Sequence, residues 1–142
     1  MTHSQTTSCV MDNLIGKTVR KIYVNDDQSR LFVFHDTGFA AYRTDADCCS
    51  ETWIADLVGV SALLGHTVME AEEVELPQQD DNRTRQDIDL FYGIKLMTTG
   101  GYVDIIYRNS SNGYYGGSLL RDEKAGVPDV AALIEICEDY SA

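Results

Sequence analysis

The segment Leu14-Ile15-Gly16-Lys17-Thr18-Val19 returns as Leu63-Leu64-Gly65-His66-Thr67-Val68. Each copy opens a similar succession. Asp12 to Gly16 reads as one short helical turn closed by glycine. Lys17 to Asn25 alternates apolar and polar residues and reads as a strand. Asp26 to Ser29 is a turn, Leu31 to Phe34 a second strand, and Asp36-Thr37-Gly38 turns into a third, Phe39 to Arg43. After the second copy come Val68 to Leu76, a polar loop from Pro77 to Arg85, Ile88 to Met97, the turn Thr99-Gly100-Gly101, and Tyr102 to Arg108. Both hairpins end on Tyr-Arg (Tyr42-Arg43 and Tyr107-Arg108) and then enter a small-residue polar loop. A duplicated unit of helical turn, strand and hairpin predicts a pseudo-twofold sheet with its two Tyr-Arg ends placed alike.

The tail, Pro128 to Tyr140, has apolar residues at Val130, Leu133, Ile134 and Cys137. That is helical spacing behind a Pro-Asp start, so a C-terminal helix packed on one sheet face is expected. The fold class expected is α+β: a mostly antiparallel sheet of two similar units, a short helix at the start of each, and the C-terminal helix. Residues 1–11 read as a disordered tail and residues 12–142 as a single domain.

The richest stretch is Arg108-Asn109-Ser110-Ser111-Asn112-Gly113-Tyr114-Tyr115-Gly116-Gly117. Arginine grips phosphate or carboxylate through a planar fork. Amides read base or sugar edges, and tyrosines offer flat faces with a polar tip. Asn112-Gly113 is also a strong hairpin signal. The two readings combine into a hairpin whose flanks carry a polar pocket, with Arg108 as the first candidate for an anion contact. For Arg30 and Arg43 a surface salt bridge is the favoured reading.

Charge narrows the partners. The chain carries 23 acidic against 11 basic residues, a net charge of −12. A general DNA or RNA binder needs a positive surface, so neither nucleic acid is an expected partner. An acidic body can instead imitate nucleic acid, hold a small anion in a local basic pocket, or simply gain solubility. No stretch approaches the ~18 apolar residues of a membrane span, and Met1 to Asn13 lacks a signal-peptide core. A cytosolic protein is expected, with Cys9, Cys48, Cys49 and Cys137 reduced.

Catalytic and metal signals are weak. Adjacent Cys48 and Cys49 lack the spacing of structural zinc ligands, and His3, His35 and His66 show no ligand pattern. Two small buried residues, or thiols lining a pocket, are the better readings of the cysteine pair. Trp53, the single tryptophan, reads first as core and second as a stacking face for a nucleobase. There is no Gly-x-Ser-x-Gly elbow, His-Glu-x-x-His or phosphate-binding loop. His35 as a general base, or Asp47 with Glu51 as a carboxylate pair, has no supporting motif. No metal or cofactor is expected. Glu70, Glu72, Glu73 and Glu75 read as a solvated strand face.

The segment Asp47-Cys48-Cys49-Ser50-Glu51-Thr52-Trp53, the strand Tyr92-Gly93-Ile94-Lys95 and the run beginning at Arg108 resemble one domain family of small phage and prophage proteins. That family is identified with the phage anti-Thoeris signal sponges, the family of Thoeris anti-defence protein 1. The resemblance covers roughly Leu14 to Leu120. It implies a non-enzymatic protein that binds and sequesters a cyclic ADP-ribose isomer (the glyco-cyclic type made by bacterial TIR enzymes) in the host bacterial cytoplasm. It also implies a homo-oligomer with pockets at or near subunit contacts. Some members resemble dual sponges that also hold cyclic oligonucleotides. The family's diphosphate grip maps to Arg108, with Arg30 second. The ligand-binding set expected here is Arg108, Asn109, Ser110, Asn112, Tyr114, Tyr115, Arg30, Cys48 and Trp53. Two rival readings stand beside it: an acidic decoy that occupies the nucleic-acid groove of a defence nuclease, and a nucleotide-processing enzyme using Asp47, Glu51 or His35.

Overall fold

The computed structural model describes residues 9–46, 50–75, 88–111 and 117–142. A 3-10 turn, Asp12–Leu14, leads into β1 (Val19–Val24), β2 (Arg30–His35) and β3 (Gly38–Ala46), then β4 (Glu51–Val58). A second 3-10 turn, Val60–Ala62, leads into β5 (Val68–Glu75), β6 (Ile88–Thr98) and β7 (Gly101–Ser111), then β8 (Gly117–Arg121). Two short strands complete the chain, β9 (Ile134–Glu135) and β10 (Tyr140–Ser141). They form two five-stranded sheets, β8-β3-β2-β1-β9 and β10-β4-β7-β6-β5, with every pairing antiparallel.

The repeat seen in the sequence is the organising principle of this topology. Each unit is a three-stranded meander whose fourth strand crosses to the other sheet. There β4 pairs with β7, the last strand of the second meander, and β8 pairs with β3, the last strand of the first. The two repeated segments meet and exchange backbone bonds symmetrically. Gly16 donates to the Val68 carbonyl and Gly65 to the Val19 carbonyl, each at 2.7 Å. Val19 donates to His66 and Val68 to Lys17, each at 3.0 Å. Thr18 and Thr67 lie between them, bridged through backbone and through hydroxyls 2.8 Å apart. Even the irregularities match, since register slips between Val19 and Lys21 on β1 and between Val68 and Glu70 on β5.

One core joins the two sheets. Val19, Ile22, Val24, Leu31, Val33 and Tyr42 from the first meet Ile54, Ile94, Leu96, Val103, Ile105 and Tyr107 from the second. Successive side chains point to opposite faces, and the first sheet buries residues on both: Leu31, Phe32 and Val33 are all buried. Cys9 and Met11 are buried in this core, so the body of the domain begins before residue 12. The first eight residues of the expected tail lie outside the described residues. A smaller cluster, Tyr23, Phe32 and Ala41 with Phe34, Phe39, Ala125 and Leu133, covers the other face of the first sheet.

The expected α+β class is corrected to all-β: the only helical pieces among the described residues are 3-10 turns of three residues. There is no C-terminal helix. Residues 128–140 contain the 3-10 turn Val130–Ala132, the short strand β9 and the first residue of β10, joined by irregular chain. The helical spacing misled because sheet edges compete for this backbone. β9 pairs with β1 and β10 with β4, satisfying ladder groups that would otherwise stay open. Ile136, which the helical spacing skips, is the residue that is buried, while Ile134 and Cys137 are exposed. The β-branched content of the segment suits the extended form.

The expected hairpin at Asn112-Gly113 is corrected as well. β7 is already bonded on both edges, by β4 and β6. The chain therefore crosses to the other sheet, where β8 completes the edge of β3. Residues 112–116, on which the turn signal falls, lie outside the described residues. Among those described, no helix is long and apolar enough to cross a membrane.

Two consequences are measurable. Asp139 Oδ1 accepts from the backbone N–H of Gly59 and of Val60, both at 2.9 Å, so the terminal segment caps the second 3-10 turn. Asp139→Ala is expected to cost about 1–2 kcal/mol in urea unfolding, as loss of a cap does, and Asp139→Asn much less. Burial pushes the Tyr107 phenol up to about 12 and raises Tyr42 as well. The folded state therefore holds these protons more tightly than the unfolded state. Stability is expected to be intact below about pH 10, the unfolded phenol value, and to fall as pH rises towards about 12. Urea midpoints measured across that window check this.

Candidate functional site

Strand alternation decides how the run from Arg108 is used. Successive side chains of β7 point to opposite faces. Tyr107 and Asn109 are buried, and Arg108 and Ser110 are half-buried on the opposite, outer face. The expected single pocket holding Arg108 and Asn109 together is thus divided by the sheet.

On the outer face Arg108 stands directly between Trp53 of β4 and Phe91 of β6 in the register. Its guanidinium carbon lies 5.2 Å from the Trp53 ring centroid and 4.4 Å from that of Phe91. A planar cation is held between two aromatic faces, a favourable arrangement on both sides. Trp53 therefore belongs to this half-buried stack and is absent from the main core cluster. Ser110 is next along the same face, opposite Glu51.

Asn109 faces inward and is fully buried. Its Nδ2 donates to Thr52 Oγ1 at 3.0 Å, while Oδ1 has no hydrogen-bond partner among the described residues. Gly117 fits tightly against this pair: a Cβ there would stand 1.9 Å from Thr52 Oγ1 and 2.7 Å from Asn109 Nδ2. Only glycine allows so close an approach.

Arg30 lies elsewhere, on the first sheet, opposite Arg43. It stacks over Phe32 at 5.4 Å and pairs with Asp122, so the structure does not bring it to Arg108. Cys48, Asn112, Tyr114 and Tyr115 lie outside the described residues. Among the described residues no group of three His, Cys, Asp or Glu is arranged to hold a metal ion. His35 is the last residue of β2, its Nδ1 accepting from the Thr37 N–H at 3.3 Å. Burial, and then the Lys17 charge, push its pKa down.

Beside Trp53 an open cleft of about 570 Å³ runs between the Asp27–Ser29 turn and the start of β4. Its walls include Ser29, Ser50, Glu51, Thr52 and Trp53. Asp27 accepts from both the hydroxyl and the backbone N–H of Ser29; these bonds, the hydroxyl first, hold its pKa below the usual value.

Residues 12–120 match a domain of unknown function, DUF7448. The chain belongs to the DUF7448 family. It is also 32% identical, over 111 residues, to the uncharacterized protein L278 of Acanthamoeba polyphaga mimivirus; the match covers 71% of this chain and 83% of that protein. No solved structure matches it. The DUF7448 segment contains both meanders and their crossing strands, and with them Trp53, Phe91, Arg108 and Asn109. The strap of β9 and β10 lies beyond it.

Phe91 carries no signal of its own in the sequence and is found only through the β6–β7 register. The turn at Asp26–Ser29 is legible as a turn, but its place beside Trp53 appears only through the crossing of β4. Because Trp53 is the single tryptophan, its emission reports the stack. Arg108→Ala is expected to change that emission and to cost about 1–2 kcal/mol of stability, at ~0.5–1 for each cation–aromatic contact. Fluorescence and urea unfolding of the variant check both.

Proposed function

We propose that this protein binds a compact phosphorylated nucleotide and holds it without turnover, as do the anti-Thoeris sponges it resembles. A cyclic ADP-ribose isomer is the ligand class. The observation that carries this reading is the Arg108 guanidinium held between Trp53 and Phe91. The stack fixes the plane of the cation, and a preset fork loses less entropy when it meets a diphosphate. The same rings offer surfaces of the kind on which bases stack. Binding rather than catalysis is favoured by the lack of a catalytic motif in the sequence. A homo-oligomer in the host bacterial cytoplasm and a capacity for cyclic oligonucleotides accompany the reading through the resemblance alone.

The decoy alternative draws on a different surface. Glu70, Glu72 and Glu73 are exposed along β5, the edge strand of the second sheet. That reading requires a basic protein partner and binding that weakens steeply with salt.

The test mixes the protein with cyclic ADP-ribose isomers, removes free ligand by filtration, and assays what heating releases. Intact ligand is the expected result. A changed ligand means an enzyme, and nothing retained rejects the reading. Arg108→Ala is expected to weaken binding by one to two orders of magnitude, about 1.5–3 kcal/mol for a charge-assisted contact. Unchanged affinity in calorimetry removes Arg108 from the site.

A further inference from the structure

We infer that the open edge of β5 is a strand-addition site. It takes an extended segment of another protein, alternating basic and apolar residues, paired antiparallel to residues 71–73. This is independent of the nucleotide reading and uses a different part of the second sheet. It also differs from the decoy, in which the negative field alone holds the partner.

β5 is an outermost strand and bonds only to β6. It has eight residues, against five for β8 and two each for β9 and β10, the other outermost strands. Beyond Val68, no backbone group on its outer side has a partner among the described residues. Such a row of donors and acceptors is a template for another strand.

The first half of the molecule shows the equivalent edge filled. Val19 and Val68 open equivalent strands, each followed by a register slip. Counting on from them, Ile22, Tyr23 and Val24 of β1 correspond to Ala71, Glu72 and Glu73 of β5. On β1 these positions receive β9. Tyr23 pairs with Glu135 and Val24 with Ile134, and Ile136 donates to the Ile22 carbonyl at 2.8 Å. Ile136 is buried in the main core, while Glu135 is exposed. The fold thus already adds an antiparallel strand at this position in one half, with an apolar residue turned in and a charged one turned out. The corresponding β5 edge has none among the described residues.

The side chains of β5 select the occupant. Ala71 packs half-buried against the main core, so an inward residue of the added strand meets apolar surface. Glu70 and Glu72 stand on the opposite face and are exposed. Lys95 is opposite Glu72 in the register, yet its ammonium sits 4.5 Å from the centroid of the Tyr102 ring. Neither glutamate has an ion-pair partner among the described residues. Two uncompensated carboxylates on one face match lysine or arginine at every second position of a neighbouring strand. The same groups disfavour a second copy of this chain, because two β5 edges would bring glutamates together.

The experiment titrates a short synthetic peptide of alternating lysine and valine into the full chain, read by calorimetry. Two further peptides carry methyl groups on the backbone nitrogens, of the lysines in one and of the valines in the other, with charge unchanged. Every second N–H of a strand faces its neighbour. One methylated peptide is therefore expected to bind on the order of tenfold more weakly, and the other as tightly as the parent. Glu70→Gln combined with Glu72→Gln is expected to weaken the parent peptide roughly tenfold, with thermal unfolding verifying that the variant is folded. Equal binding of the two methylated peptides means a contact of charge alone and overturns strand addition. No binding of the parent peptide, or unchanged binding to the double variant, overturns it as well. Dimers of the chain alone in sedimentation, dissociated by the peptide, would make the edge a self-interface and overturn the foreign partner.

Discussion

The architecture depends on four backbone hydrogen bonds exchanged between two copies of one short segment. Gly16 and Gly65 each donate to the partner copy's valine carbonyl, and Val19 and Val68 each donate in return to the residue after the partner's glycine. Both glycines have a positive φ, +85° and +81°, a region costly for any residue with a Cβ. That conformation ends each 3-10 turn and aims the next strand across the partner. The Thr18–Thr67 contact fixes the register at the centre of this exchange. Once it is set, both meanders start from a common point, and their inner faces can share one core.

Local signals made the meanders legible. The turns Asp26–Ser29, Asp36–Gly38 and Thr99–Gly101 separate apolar runs, and the repeated segment marks Val19 and Val68 as equivalent starting points of two like meanders. The destination of the fourth strands was not legible. No local feature of residues 51–58 says that they pair with residues 104–110, tens of positions away. Long-range pairing also decided the partner of β8, which joins β3 because β7 had no free edge. The tail shows the same competition. Val130, Leu133, Ile134 and Cys137 fit a helical period, yet two sheet edges recruited the backbone as short strands.

The candidate site was half legible for a related reason. Composition drew attention to Arg108 and Asn109 together, but a strand presents only every second residue to one face. Arg108 joins Trp53 and Phe91 on the outer face, while Asn109 serves the interior by orienting Thr52. Trp53 was expected first as core; its register opposite Arg108 places it in the outer stack. The resulting site is built from cross-strand neighbours, whose identities appear only when the register is known.

The reciprocal crossing of β4 and β8 also bears on how the chain behaves in company. Neither half closes its own sheet: the first meander needs β8 and the second needs β4. During synthesis the opening half must wait, with one margin of β3 unoccupied, until β8 has emerged. At high concentration the same reciprocity makes intermolecular strand swapping available, because a neighbouring molecule carries an identical fourth strand for each vacancy. Pairing so distant in sequence is the kind that slows folding and invites strand exchange between chains.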